Sequence, residues 1–130
     1  MTTVFTLDGR AVVDIASFYA QLNQLFMQQE TWQLGNSLDA LDDLLHAGHG
    51  ALAGFDHAIL LWQHSAASAQ ALGVEATAQW LRAKLAQPGV FNTENIQRQL
   101  QTLLEQGGPT YFERIVQVFA DHTRVTLQLA

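Results

Sequence analysis

Residues 58–62 read Ala-Ile-Leu-Leu-Trp, AILLW, and the reading of this run decides the fold. A compact apolar run of this length is short for a helix and suits a strand buried on both faces. Such strands belong in the middle of a parallel sheet, where the connections between strands run through helices. Two further stretches supply its neighbours. Near the start, Thr3, Phe5 and Leu7 alternate with Val4 and Thr6 before an Asp8-Gly9 turn. At the end, Val125, Leu127 and Leu129 alternate with Thr126 and Gln128.

Helical patterns fill the intervals. Asp14 is placed to cap a helix whose Ile15, Phe18, Tyr19, Leu22, Leu25 and Phe26 share one face. Gly35-Asn36-Ser37 forms a loop that supplies the next N-cap, and Leu38, Leu41, Leu44 and Leu45 trace a second, shorter stripe. Glycines 48, 50 and 54 mark the loop that leads to AILLW. Beyond it, an Ala-rich helix is expected over 65–72 and another from Gly73 to about Ala86, ended by Pro88-Gly89. Asn92 or Thr93 caps a further helix with Ile96, Leu100, Leu103 and Leu104 on one face, which stops at Gly107-Gly108. The last helix takes Pro109 into its first turn and points Phe112, Ile115, Val116 and Phe119 inward. Strand, helix, helix, strand, several helices and strand in that order predict an α/β fold, a small parallel three-stranded sheet covered by helices.

The totals are those of one globular domain spanning 1–130: 130 residues, 48% of them hydrophobic, without internal repeats or a disordered linker. No apolar run approaches the roughly eighteen residues of a membrane span, and MTTVFTLDGR lacks the pattern of a signal peptide, so a cytoplasmic protein is expected. The absence of cysteine removes disulfides, thiolate nucleophiles and sulfur-based zinc sites, and fits a reducing compartment. The net charge of −6 is unevenly spread. From Arg10 to Arg82 there is no Lys or Arg, while Asp14, Glu30, Asp39, Asp42, Asp43, Asp56 and Glu75 all fall in that interval. A chain so charged repels phosphate backbones, which argues against a nucleic-acid partner and for a basic protein partner.

The acidic charge peaks in the second helix. On a helical wheel Asp39 and Asp43 lie one turn apart opposite the leucines, with Asp42 and His46 close beside them. Like charges at that spacing cost a helix about 0.2 to 0.5 kcal/mol. A helix dipole that favours an anion at Asp39, and the need of any amphipathic helix for a polar face, explain part of the pattern. The missing lysines favour a functional role. His46 and His49 with a nearby Asp offer an alternative, a metal- or small-ligand-binding loop, although Gly48 between them weakens the geometry and no third ligand stands at fixed spacing. His57, His64 and His122 read as scattered polar edge residues. No nucleophile elbow, phosphate loop or nucleotide fingerprint is present, so neither catalysis nor a cofactor is expected. Trp62 and Trp80 are assigned to packing and Trp32 to the surface.

Several blocks resemble the barstar-like inhibitors: FTLDGRAVVDIASFYAQL at the start, GNSLDALDDLL and AILLWQHSAASAQAL in the middle, and FERIVQVFADHTRVTLQLA at the end. Together they cover residues 3–72 and 110–130, and the LDALxD segment is the specific part. The resemblance implies an intracellular bacterial immunity protein, or antitoxin, that plugs the active site of a secreted barnase-type ribonuclease with its acidic helix and the preceding loop. By position it gives partner-binding roles to Asp39 and Asp43, to Leu38, Gly35 and Asn36 of the same motif, and more loosely to Asp121 on the last helix. Gly35 would hold the loop turn. Trp32, Asp42 and His46 stand around the motif and complete the expected surface. Two departures stand out: Trp32-Gln33-Leu34 precedes the glycine where aromatics are common, and Asp42 occupies the place of an aromatic between the paired acids. Residues 73–109 have no counterpart in the family's smaller fold and are expected to be a helical insertion before the last helix.

Overall fold

A computed structural model describes residues 2–130. Its sheet has three parallel strands in the order β1-β2-β3: β1 is Thr3–Asp8, β2 is Ala58–Gln63 and β3 is Val125–Leu129. The AILLW run forms the central strand. Ala58, Leu60 and Trp62 are buried while Ile59 and Leu61 are half-buried, as both-sided coverage requires. In β1 Leu7 is buried and Phe5 half-buried while Val4 and Thr6 face outward, so the alternation holds. Along β3 burial falls from Val125, which is buried, to Leu129, which is exposed.

Among the described residues six α-helices connect and cover the strands. They are α1 (Ile15–Phe26), α2 (Leu38–Ala47), α3 (Ser65–Ala71), α4 (Val74–Leu85), α5 (Thr93–Gln106) and α6 (Tyr111–Ala120). Local chemistry sets their starts. Asp14 caps α1 in a box with Ser17, Ser37 caps α2, and Asn92 caps α5. The last helix begins later than predicted. Thr110 is its N-cap and Glu113 closes the capping box, so Pro109 precedes the cap instead of lying in the first turn. One turn of the wheel also differs from expectation. Leu104 is exposed, because the α5 face that packs inward is that of Ile96, Leu100 and Leu103.

The buried residues fall into two clusters. The larger joins the sheet with α1, α2, α3 and α6 around Leu7, Phe18, Tyr19, Leu41, Trp62 and Tyr111. Phe18 stacks on Trp62 at 5.3 Å. The Trp62 indole N–H donates to Ser68 Oγ at 2.9 Å, and that hydroxyl donates to the Gly9 carbonyl at 2.9 Å. Gly9 is needed there, since a Cβ would come within 2.6 Å of Gln63, His64 and Ser68 oxygens. Tyr19 and Tyr111 share a hydrogen bond of 2.6 Å between their buried hydroxyls. The smaller cluster lies between α4 and α5: Ala78, Leu81, Ile96 and Leu103. Trp80 borders both clusters and meets Tyr111 edge to face at 4.9 Å. The α4–α5 pair leaves and rejoins the rest at one point, where the Phe112 N–H donates to the Leu72 carbonyl at 3.2 Å. Close by, Thr77 Oγ1 accepts from the Tyr111 N–H at 2.7 Å.

Candidate functional site

The face of α2 is built by its amphipathic pattern. Leu41, Leu44 and Leu45 are fully buried and Leu38 half-buried, which turns Asp39, Asp42, Asp43 and His46 outward, all four exposed. The loop ahead of the helix is held from behind. Asn23 of α1 accepts from the Leu34 N–H at 2.7 Å and donates to the Leu34 carbonyl at 3.3 Å, and Leu34 itself is buried. Gly35 and Asn36 therefore stand clear on the surface beside the N-terminus of the acidic helix. Gly35 does not have the positive φ expected of a glycine that holds a turn, and a Cβ there would meet nothing within 4 Å. That expectation is corrected: the loop itself does not require glycine, and the space above residue 35 is open.

Polar partners that the helix itself lacks come from the loop just behind it and from the end of the chain. His122, just past α6, brings Nε2 to 2.6 Å from Asp42 Oδ1. His49 brings Nε2 to 3.0 Å from Asp43 Oδ2, and its ring meets Trp32 edge to face at 5.1 Å. Trp32 is exposed, as expected. At the C-terminal end of α2, Arg124 donates from Nε to the Leu45 carbonyl at 3.1 Å, from Nη2 to the His46 carbonyl at 3.3 Å and from Nη1 to the Phe55 carbonyl at 2.6 Å. Those first two carbonyls belong to the last turn, where a cation is favoured by the helix dipole. Gly48 closes the helix in the left-handed region at φ 69°, and a Cβ at that residue would come within 2.8 Å of Arg124. Asp39 sits in the first turn, at the favourable end of the dipole, and its charge is felt at Lys84 of α4. Asp42 and Asp43 thus each meet a histidine ring nitrogen in the free chain, while all three carboxylates remain open to solvent.

The sequence pattern marks His122 as an isolated edge residue and does not single out Arg124 or Lys84. They reach α2 across separations of 80 and 79 residues in the case of the first two contacts, so no local periodicity marks them. Asp121 is the C-cap of α6 and is exposed, with Oδ1 accepting from Gln117 Nε2 at 2.9 Å. A carboxylate at a helix C-terminus opposes the dipole. The proposed histidine loop is not assembled. His49 turns to Asp43 and Trp32 while the His46 ring lies 6.3 Å from that of His122, and no group of three metal-ligating side chains forms among the described residues. No helix among the described residues is long and apolar enough to cross a membrane.

A family profile described as Barstar (barnase inhibitor) matches residues 2–88, about two thirds of the chain and the whole of the segment from β1 through α4. No curated protein sequence matches the chain.

Proposed function

The chain belongs to the barstar family, the barnase inhibitors, and from that premise we propose that it blocks a basic, secreted, barnase-type ribonuclease by seating α2 in the enzyme's active site. It acts as a binding protein of the toxin and immunity kind and not as a catalyst. Its partner is a protein and neither nucleic acid nor membrane, and its place of action is the cytoplasm of the cell that makes the enzyme.

One observation carries this reading: three carboxylates stand exposed on a helix whose opposite face is wholly committed to the core. A ribonuclease cleft presents arginine, lysine and histidine to substrate phosphates. Carboxylates inserted there replace phosphate oxygens and form charge-assisted hydrogen bonds in a dehydrated pocket. Asp39 and Asp43 are the central pair, with Asp42 between them. Gly35, Asn36 and Leu38 form the adjoining rim, Trp32 and His46 flank the helix, and Asp121 reaches the same partner from α6. His49 and His122, which engage Asp43 and Asp42 in the free chain, would yield those acids to the enzyme's cations.

The test is inhibition of secreted barnase-type ribonucleases by the intact chain and by Asp39→Ala and Asp43→Ala. Each substitution is expected to weaken binding by about 2 to 5 kcal/mol, a range to which complexes of this family have themselves contributed. Stability should change by no more than about 0.5 kcal/mol, because both side chains are exposed. Equal losses in melting temperature and affinity, or no loss of affinity, would refute the assignment.

A further inference from the structure

Two cations of α4 and α6 lie against one indole, and the acid felt at Lys84 is Asp39 of α2. Lys84 Nζ lies 4.0 Å from the centre of the Trp80 ring and 5.2 Å from that of Phe91, and Arg114 Cζ lies 5.3 Å from the same indole. Neither has a carboxylate within 4 Å among the described residues, whose ion pairs are Arg10–Asp8, His49–Asp43 and His122–Asp42. Burial lowers the pKa of both groups, and the Arg114 charge lowers that of Lys84 further. Trp80 offsets part of that cost through its ring face. It leaves Arg114 Nε, which is closed to solvent and has no hydrogen-bond partner. An orphaned buried donor on a cation is uncommon in folded chains, and Nε, closed to solvent, is not itself the atom a ligand would meet.

Arg114 also lines a cavity of about 320 Å³ between α5 and the start of α6, together with Arg98, Gln99, Thr102 and Pro109. The residues that line it include two arginines, a glutamine and a threonine, and no acid. Glu113, the nearest acid in sequence, is engaged elsewhere: its Oε1 accepts from the Thr110 N–H at 2.9 Å in the capping box.

We propose that this cavity is a binding site for a phosphate oxyanion. Two arginines, a glutamine and a threonine carry more donors than a carboxylate has oxygens to use, and suit a group with three acceptor oxygens and nearly two negative charges. The volume is at the small end of ligand sites, enough for free phosphate or the phosphate end of an ester. The site draws on none of the residues assigned to the acidic helix, and its occupation does not depend on the identity of the ribonuclease.

Isothermal titration and thermal melts with inorganic phosphate, adenosine monophosphate and acetate at matched ionic strength test it. Saturable binding of phosphate or the monophosphate at one site is expected, and the tighter of the two identifies a free or an esterified source. Arg98→Gln and Arg114→Gln should each weaken that binding by about tenfold or more, as loss of a charge-assisted contact does. Arg10→Gln, paired with Asp8 elsewhere, should not. Arg98 is exposed, so Arg98→Gln folds even if Arg114→Gln does not. The proposal fails if phosphate raises the melting temperature no more than acetate does, or if Arg98→Gln binds phosphate as the unaltered chain does.

Discussion

Replacing Arg124 by glutamine is expected to loosen the acidic helix from the sheet. The guanidinium makes three hydrogen bonds to carbonyls, at 2.6, 3.1 and 3.3 Å, two of them in the last turn of α2. A hydrogen bond from a charged donor contributes about 1.5 to 3 kcal/mol, but the three share one group and do not add, and the longest is weak. Some of the freed carbonyls reach water, because the residue is only half-buried. The net cost is therefore about 2 to 4 kcal/mol, or a fall in melting temperature on the order of 10 °C for a chain of this size. Arg124→Lys should recover only part of it, since an ammonium cannot present a planar fork to carbonyls on both sides. Urea unfolding of the three proteins measures the energies, and amide exchange through α2 shows where the loss is felt. If Arg124→Gln stays within about 0.5 kcal/mol of the parent, or if lysine and glutamine are equivalent, the fork does not anchor the helix.

Three other outcomes are expected. Tyr19→Phe and Tyr111→Phe should each cost about 1 kcal/mol, and the double variant less than their sum, because each single change orphans a hydroxyl that the double change removes; equilibrium unfolding of all four proteins closes the cycle. The Ser17 backbone N–H, and then its hydroxyl, hold the Asp14 carboxyl below its ordinary value of 3.8, so its capping contribution is present above that value and is lost as pH falls through the lower folded-state value; Asp14→Ala should cost about 1 kcal/mol at pH 7 and progressively less in acid, as unfolding at stepped pH would show. Stopped-flow association with the ribonuclease should slow as salt rises, and Asp42→Asn should slow association while leaving dissociation nearly unchanged; strongly faster dissociation would instead put Asp42 in the buried contact.

The sheet and its order could be read from three short apolar segments because strand burial is a local pattern of period two or a bare apolar run. Helix faces were as clear, apart from the Leu104 edge of α5 and the cap of α6, where Thr110 and Glu113 together outweigh the usual preference of proline for a first turn. The exposed acids of α2 were readable for the same reason, since the leucines that fix their direction lie within the same helix. What holds those acids was not. His122 and Arg124 meet α2 only because β3 ends the sheet beside it, and nothing in the spacing of residues 120–125 distinguishes a histidine bound to an aspartate from one bound to water. Lys84 was hidden likewise, as its position depends on how α4 packs against the larger core through Trp80.

The hydrogen bond from Phe112 to Leu72 has a further consequence for how this chain can vary. Because the sheet-bearing part closes on itself at that point, it sees the same junction whatever is carried beyond it. Lengthening a closed excursion costs only about 0.6 kcal/mol for each doubling. Segments of other lengths spliced between residues 72 and 110 are therefore expected to leave the acidic helix in register, as amide exchange through α2 of such a variant would show. The splice must supply an acceptor for the Tyr111 N–H, which Thr77 Oγ1 now takes. Any replacement must cover the Tyr111 ring that Trp80 now shields, or that aromatic face becomes a new sticky surface on the protein.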